Sequence, residues 1–424
     1  MAAMYFRVNS TFQGELTVVE LITIGFAWGM LCFMLWFLSY RTNIALPLYL
    51  VLVVALLIRL ISIGAEPILE DDGYRFLWDG RQTIVQGSPY ISAPAFHFED
   101  ESLPDTWHEI LENINHPEIA TVYGPTAQVF FALAHLIAPA EWWGLQSLFI
   151  LIDLLLIALL CLKTNSRNLM LYAWSPLIVK EFAFSVHPDA VGAFLLLMAW
   201  YLQQKKRLFL AGIFMALAAG IKVFALLAIP LILHRCREAW VGFIATLVAV
   251  ALPFGFIDAW VPEGLVAMGS EWTFNAPVYL SAIDYYSVSS IKLLMGVIFV
   301  LGMSWLFWKP FFRYSLEQVN RETPQLLQFA FGLLLLCSPV VNPWYLVWIL
   351  VFAAIRPTLW AWTASVVVLL AYVSGINWQG EGVDLYQQPL WLVWFEFGLV
   401  ITALWCQPKL KKAFGSNSSK AKKQ

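Results

Sequence analysis

"LFLAGIFMALAAGIKVFALLAIPLIL", Leu208–Leu233, is apolar apart from Lys222 near its middle. About 20 apolar residues suffice to cross a bilayer core of about 30 Å. The stretch is therefore one long tilted helix or two short ones broken at Lys222. Loop charge decides between them. Lys and Arg collect in cytoplasmic loops. Here they cluster at Lys163 and Arg167, at Lys205, Lys206 and Arg207, at Arg235 and Arg237, at Lys309 and Arg313, at Arg356, and from Lys409 to Lys423. With Arg207 and Arg235 on one side, 208–234 crosses twice and Lys222 lies on the other. The same alternation sends His187, Asp258–Asp284, Asn342 and Glu381–Asp384 to the side of Lys222.

Outward from this pivot, apolar runs at 16–38, 44–63, 125–162, 168–185, 189–203, 238–257, 287–308, 325–340, 343–356, 358–375 and 389–407 bring the expected total to about thirteen spans. Pro139 and Trp142–Trp143 interrupt 125–162, so 125–138 is expected to be a re-entrant or interfacial piece. Composition agrees with a membrane protein. The 424 residues are 60% hydrophobic and 12% charged, with a mean hydropathy of +0.72. Soluble domains carry about 25% charged residues. The fold class is an all-α polytopic membrane bundle, one domain over 1–407, followed by a basic tail, 408–424, expected to be disordered and cytoplasmic. The run 16–40 is too long for a signal-peptide core and no A-x-A site follows, so it is expected to be retained.

Other classes fall away. The net charge is −3, and no basic stretch carries the interleaved aromatics of a nucleic-acid surface. Cys32, Cys161, Cys236, Cys337 and Cys406 lie in or beside apolar runs and show no metal or redox spacing. His97, His108 and His116 match no zinc motif and are expected at the surface. No metal or cofactor is expected.

The largest hydrophilic insert, 64–124, is rich in acids, with Arg75 and Arg81 its only strong bases. It belongs outside and opens with "ILEDDGYRFLWDGRQTIVQGSPY", Ile68–Tyr90. As a helix, Asp71, Arg75, Asp79 and Gln82 share one face, where Arg75 could form a helical ion pair with the acids, with Phe76, Leu77 and Ile84 opposite, an amphipathic segment fit to lie on a membrane. Gly87 and Pro89 end it. Adjacent acids at a membrane boundary repel and desolvate at a cost, which a catalytic or metal-binding task would explain. Tyr74 and Trp78 suit an interfacial anchor or a sugar platform. Lys222, an ammonium between apolar runs, either snorkels or binds an anion. In "SVHPDA", Asp189 either caps a helix or pairs with His187 at a ligand. Lys180 and Glu181 are suspect as charges within or beside the membrane. "NPWY" gives Asn342, Trp344 and Tyr345, an interfacial belt or a stacking surface.

"EDDGYRFLWDG", "GSPY" and "INHPEIATVYGPTAQVFF", with "SPLIVKEFAFSVHPDA", the Lys222 segment and "SPVVNPWYLVWIL", resemble bacterial C-type (GT-C-like) multi-spanning glycosyltransferases. The resemblance runs from about 66 to 350 and points to mannosyltransferase-like enzymes. Gly124 stands where the family more often has a second proline, and Val223 where proline often follows the lysine. The resemblance implies transfer of a hexose, with inversion, from a polyprenyl-phosphate sugar to a glycan, glycolipid or other hydroxyl. The reaction would take place on the outer face of a bacterial inner membrane. It implies Asp71 and Asp72 as the catalytic acids, with Asp71 preferred as base. Lys222, Arg75 and Arg81 would face the donor phosphate. Tyr74, Trp78, Asp79, Tyr90, Tyr123, His187, Asp189, Asn342, Trp344 and Tyr345 would contact sugar or acceptor. A transporter or flippase of lipid-linked sugars would instead carry charges and breaks near helix centres. A non-catalytic assembly subunit would have no reason to keep the acid pair beside a cation.

Overall fold

The computed structural model describes residues 17–233, 236–377 and 387–421. Among these, helices dominate and no strand forms; an isolated parallel bridge joins Phe274 to Val340. Five helices are long and apolar enough to cross a membrane: Val18–Thr42, Trp142–Cys161, Arg237–Phe254, Val288–Phe312 and Leu390–Gln407. Pro176–Phe184 and Asp189–Gln204 form a pair bent by 110°. Six shorter apolar helices are Leu48–Leu60, Pro125–Ile137, Leu208–Ile221, Val223–Ile232, Pro343–Ile355 and Leu359–Tyr372. The expected thirteen spans do not map one-to-one onto these pieces, because several are half-length. The class, an all-α polytopic membrane protein, holds.

The chain breaks at Lys222, which is extended (φ −151°, ψ 134°) between helix Leu208–Ile221 and the 3₁₀ turn Val223–Ala228. Close packing fixes that break. A Cβ on Gly220 would sit 2.2 Å from Thr126 Oγ1, and one on Gly124 2.5 Å from the Gly220 carbonyl oxygen. Only glycine permits this approach. It seats the start of helix Pro125–Ile137, with proline in its first turn, against the residues just before Lys222. The interruption expected near Pro139 is also present, between Pro125–Ile137 and Trp142–Cys161.

Beneath these loops, a buried ion pair locks three helices. Arg59 Nε donates to Asp153 Oδ2 at 2.6 Å, and Asp153 also accepts from the Tyr172 hydroxyl at 2.8 Å. Removing one partner of such a pair leaves an uncompensated buried charge.

The two ends of the bundle carry different side chains. At one end Lys163 donates to Gln204, Arg167 Nη2 to Asn43 Oδ1 at 2.9 Å, and Arg356 Nη1 to Glu322 Oε2 at 2.7 Å. At the other, residues from the 64–124 loop, Lys222, the 259–274 segment and Asn342–Tyr345 line one cavity. Phe274 N donates to the Pro339 carbonyl and Val341 N to that of Phe274, both at 2.9 Å, tying two of these loops together. Glu381–Asp384 lies outside the described residues.

One expectation needs correction. Helix Asp72–Val85 does not lie with its polar face in water. Arg75, Asp79 and Gln82 are buried, as are Phe76 and Leu77, and Ile84 is exposed. The loop 115–124 and helix Pro125–Ile137 supply the hydrogen bonds of Arg75 and Asp79, and His97 meets Gln82. The last helix is Leu390–Ala421.

Candidate active site

The site is built on the entry to helix Asp72–Val85, where Asp71 is the N-cap residue. Asn115 Nδ2 bridges the two acids, donating to Asp71 Oδ1 at 2.7 Å and to Asp72 Oδ1 at 3.1 Å. Asp72 Oδ2 accepts from the Tyr123 hydroxyl at 3.1 Å and lies 3.9 Å from His187 Nδ1. Asp72 thus accepts from two side-chain donors, Asn115 and Tyr123, whereas Asp71 has one side-chain partner. Burial, then the adjacent Asp72 carboxylate, raises the Asp71 carboxyl to about 6; the Asn115 donor pulls the other way.

Both acids open into a cavity of about 870 Å³. Lys222 stands on its wall. Its ammonium sits 2.8 Å from Asp189 Oδ2 and 4.1 Å from the Tyr345 ring centroid. It is paired rather than snorkelling. Asp189 makes no helix-capping bond; it binds Lys222 and accepts from Trp348 Nε1 at 2.8 Å. The Lys222 side chain keeps 17% exposure, while that of Asp189 has none. The cation therefore faces the cavity and its counter-ion stays behind it. Asn342, Trp344 and Tyr345 also line the cavity, so they are not a lipid-facing belt. Asn342 Nδ2 donates to the Tyr345 hydroxyl at 3.3 Å.

The remaining expected residues fall elsewhere. Arg75 reaches the wall, yet its terminal nitrogens donate to the carbonyls of Asn115, His116, Ile119 and Ala120 at 2.7–2.9 Å. It clamps the loop that carries Asn115, in place of the ion pair its helical spacing suggested. Arg81 lies over Trp78 and Trp107, 5.4 Å from each ring centroid, away from the cavity. Trp78 is buried there, and Tyr74 packs edge-on against Trp142 at 4.9 Å.

Asp79 is sealed behind the wall, where Oδ2 accepts from Thr121 Oγ1 at 2.6 Å and Gln128 Nε2 at 3.0 Å. Burial raises its carboxyl to about 6. Tyr90 donates to the Tyr123 carbonyl at 2.8 Å and borders a separate, smaller cleft. His187 is fully buried and stacks on Trp344, with centroids 3.7 Å apart and planes 13° from parallel. It supports the wall from behind.

Sequence reasoning missed Asn115 and Tyr372, both in the cavity lining, and the use of Glu70 there. His116, expected at the surface, keeps a side-chain exposure of 28% and tilts against Trp272 with centroids 4.3 Å apart; both line the cavity. The arrangement offers a base near neutrality, a second oriented carboxylate and a fixed cation, with aromatic and amide groups between them. Such a set suits displacement at a carbon bearing an anionic leaving group.

The family model described as the N-terminal domain of alpha-(1->6)-mannopyranosyltransferase matches residues 4–236, more than half of the chain. That span contains the acid pair, Asn115, Tyr123, His187, Asp189 and Lys222. No curated protein matches the chain.

Proposed function

From a chain that belongs to the alpha-(1->6)-mannopyranosyltransferase family, we propose an inverting enzyme that moves mannose from a polyprenyl-phosphate carrier to a primary hydroxyl of a glycan or glycolipid. The reaction would occur on the outer face of the membrane. The observation that carries this proposal is that Asp71, Asp72 and Lys222 open into one cavity. A sugar phosphate needs both features: a carboxylate to take a proton and a cation to receive the leaving phosphate.

In the proposed step the donor phosphate rests against Lys222 Nζ. Asp71 takes the proton of the acceptor hydroxyl, whose oxygen attacks the sugar carbon from the face opposite the phosphate. The new carbon–oxygen bond forms as the bond to the phosphate oxygen breaks, and that electron pair leaves on the phosphate. The departing group is already a stable anion, so no general acid is required. Asp72, held by Tyr123 and Asn115, orients the acceptor. Trp344, Tyr345 and Trp272 offer ring faces to the sugars. Lys163, Arg167 and Arg356 at the opposite end support a cytoplasmic assignment for that end, in keeping with a cavity on the outer face.

Two measurements test this account. A single cysteine at Phe96, which is 81% exposed in the large loop, is expected to react with a membrane-impermeant maleimide in intact cells. Labelling only in inverted vesicles would reverse the topology. The second is a pH profile. Asp71 must be ionised to act as base, so kcat/KM is expected to rise with pH through about 6. Asn115→Ala removes a donor that favours the carboxylate, so the acid limb should move to higher pH. A limb that stays in place, or moves down, would separate Asp71 from the proton transfer.

A further inference from the structure

A second polar cluster lies directly behind the acid pair. A π-helical turn, Val179–Phe184, carries the consecutive charges Lys180 and Glu181, both with 0% exposure. Such turns are rare and concentrate at functional sites. The Lys180 ammonium donates to Glu70 Oε1 at 3.3 Å, to Glu181 Oε2 at 3.4 Å and to the Tyr372 hydroxyl oxygen. That hydroxyl lies 2.6 Å from Glu70 Oε1 and 2.7 Å from Glu181 Oε1. His187 Nε2 is 3.5 Å from Glu181 Oε2, while its Nδ1 faces Asp72.

One ligand atom each from Glu70, Glu181 and His187 fall within 4.8 Å of one another. Two carboxylate oxygens and an imidazole nitrogen at that spacing make a plausible divalent-cation set. Lys180 puts a cation among them already. Its single nitrogen carries three donors and satisfies three partners at once.

We infer that Lys180 is a tethered substitute for a divalent ion: its ammonium holds the place between the Glu70 and Glu181 carboxylates, and through Glu70 it positions the acid pair. Glu70 directly precedes Asp71 in the chain. Lys180 is thus a positioning residue, and the alignment of the acid pair does not depend on metal supply. The link to transfer rests on the function proposed above.

The test uses the purified full-length chain, with Mn²⁺ binding followed by electron paramagnetic resonance and mannose transfer followed in parallel. For the parent, no Mn²⁺ signal that Glu181→Gln abolishes is expected, and transfer should be unaffected by EDTA. Lys180→Ala opens the ligand set. It should bind one Mn²⁺, lose about 10–100-fold in transfer without metal, and regain part of that loss with Mn²⁺. Lys180→Met fills the same space without charge and should show the loss without rescue. The inference is overturned if the parent binds Mn²⁺ in a way that Glu181→Gln abolishes, or if Lys180→Ala keeps the parental rate in EDTA. The parent binding comparison decides the matter even where the Lys180 variants fail to fold. If the parent transfers no mannose, the proposed function fails, and the Mn²⁺ measurements still decide the role of Lys180.

Discussion

Asp71→Asn is expected to lower turnover by about 10²–10⁴-fold, the usual contribution of a positioned general base. The amide keeps the shape and an acceptor for Asn115, so the fold should persist and the defect should lie in kcat. Asp72→Asn is expected to behave differently. Asp72 is held by Asn115 and Tyr123, and its charge helps to raise the Asp71 carboxyl. Without that charge the Asp71 pKa falls, so the acid limb of the pH profile should move below about 6. The remaining loss should appear chiefly in KM for the acceptor. Steady-state kinetics of both variants over pH 4–9 would check this (the range spans the limb on both sides). If Asp72→Asn is the inactive variant and Asp71→Asn keeps a shifted limb, the two roles are exchanged. If both match the parent, the carboxylate mechanism is wrong.

Lys222→Met carries the second large expected effect, and it falls on two observables. The substitution removes the cavity cation, and losing one preorganised contact to a developing charge costs about 10²–10³-fold in turnover. It also strands Asp189, whose side chain has no exposure and whose other partner is Trp348. Breaking a buried pair from one side costs about 3–5 kcal/mol, visible as a lower melting temperature in detergent. Lys222→Met combined with Asp189→Asn removes both charges. The double variant should recover most of the stability and none of the transfer. Recovery of transfer in the double variant would mean that Lys222 serves only to neutralise Asp189.

Much of the framework was legible because it depends on local windows. A run of apolar residues, a lysine in its middle and basic clusters on both flanks were enough to break 208–234 and to gather four distant loops at one end. The acid pair was legible for the same reason: two carboxylates at a membrane exit are costly wherever the chain goes next. What stayed hidden were the partners. Asp189 and Lys222 are 33 positions apart, and Tyr372 meets Lys180 across 192. Neither pairing leaves a trace in periodicity. Arg75 shows how local spacing misleads. Its spacing from Asp71 and Asp79 suggested helical ion pairing, but the 115–120 loop folded over that face and offered four carbonyls instead. Asn115 could not be found from its neighbours either, since its two bonds to the acids span 44 and 43 positions.

The central claim is that the cavity takes its sugar from a lipid phosphate. The most direct measurement reconstitutes the parent protein in lipid nanodiscs with a mannose-oligosaccharide acceptor. [¹⁴C]Mannose is supplied either on polyprenyl phosphate or on a nucleotide diphosphate, and the anomeric configuration of the product is determined. The account predicts label transfer from the polyprenyl-phosphate donor alone, into a linkage of anomeric configuration opposite to the donor's. Transfer from the nucleotide sugar, retention of configuration, or no consumption of the lipid-linked donor would contradict it.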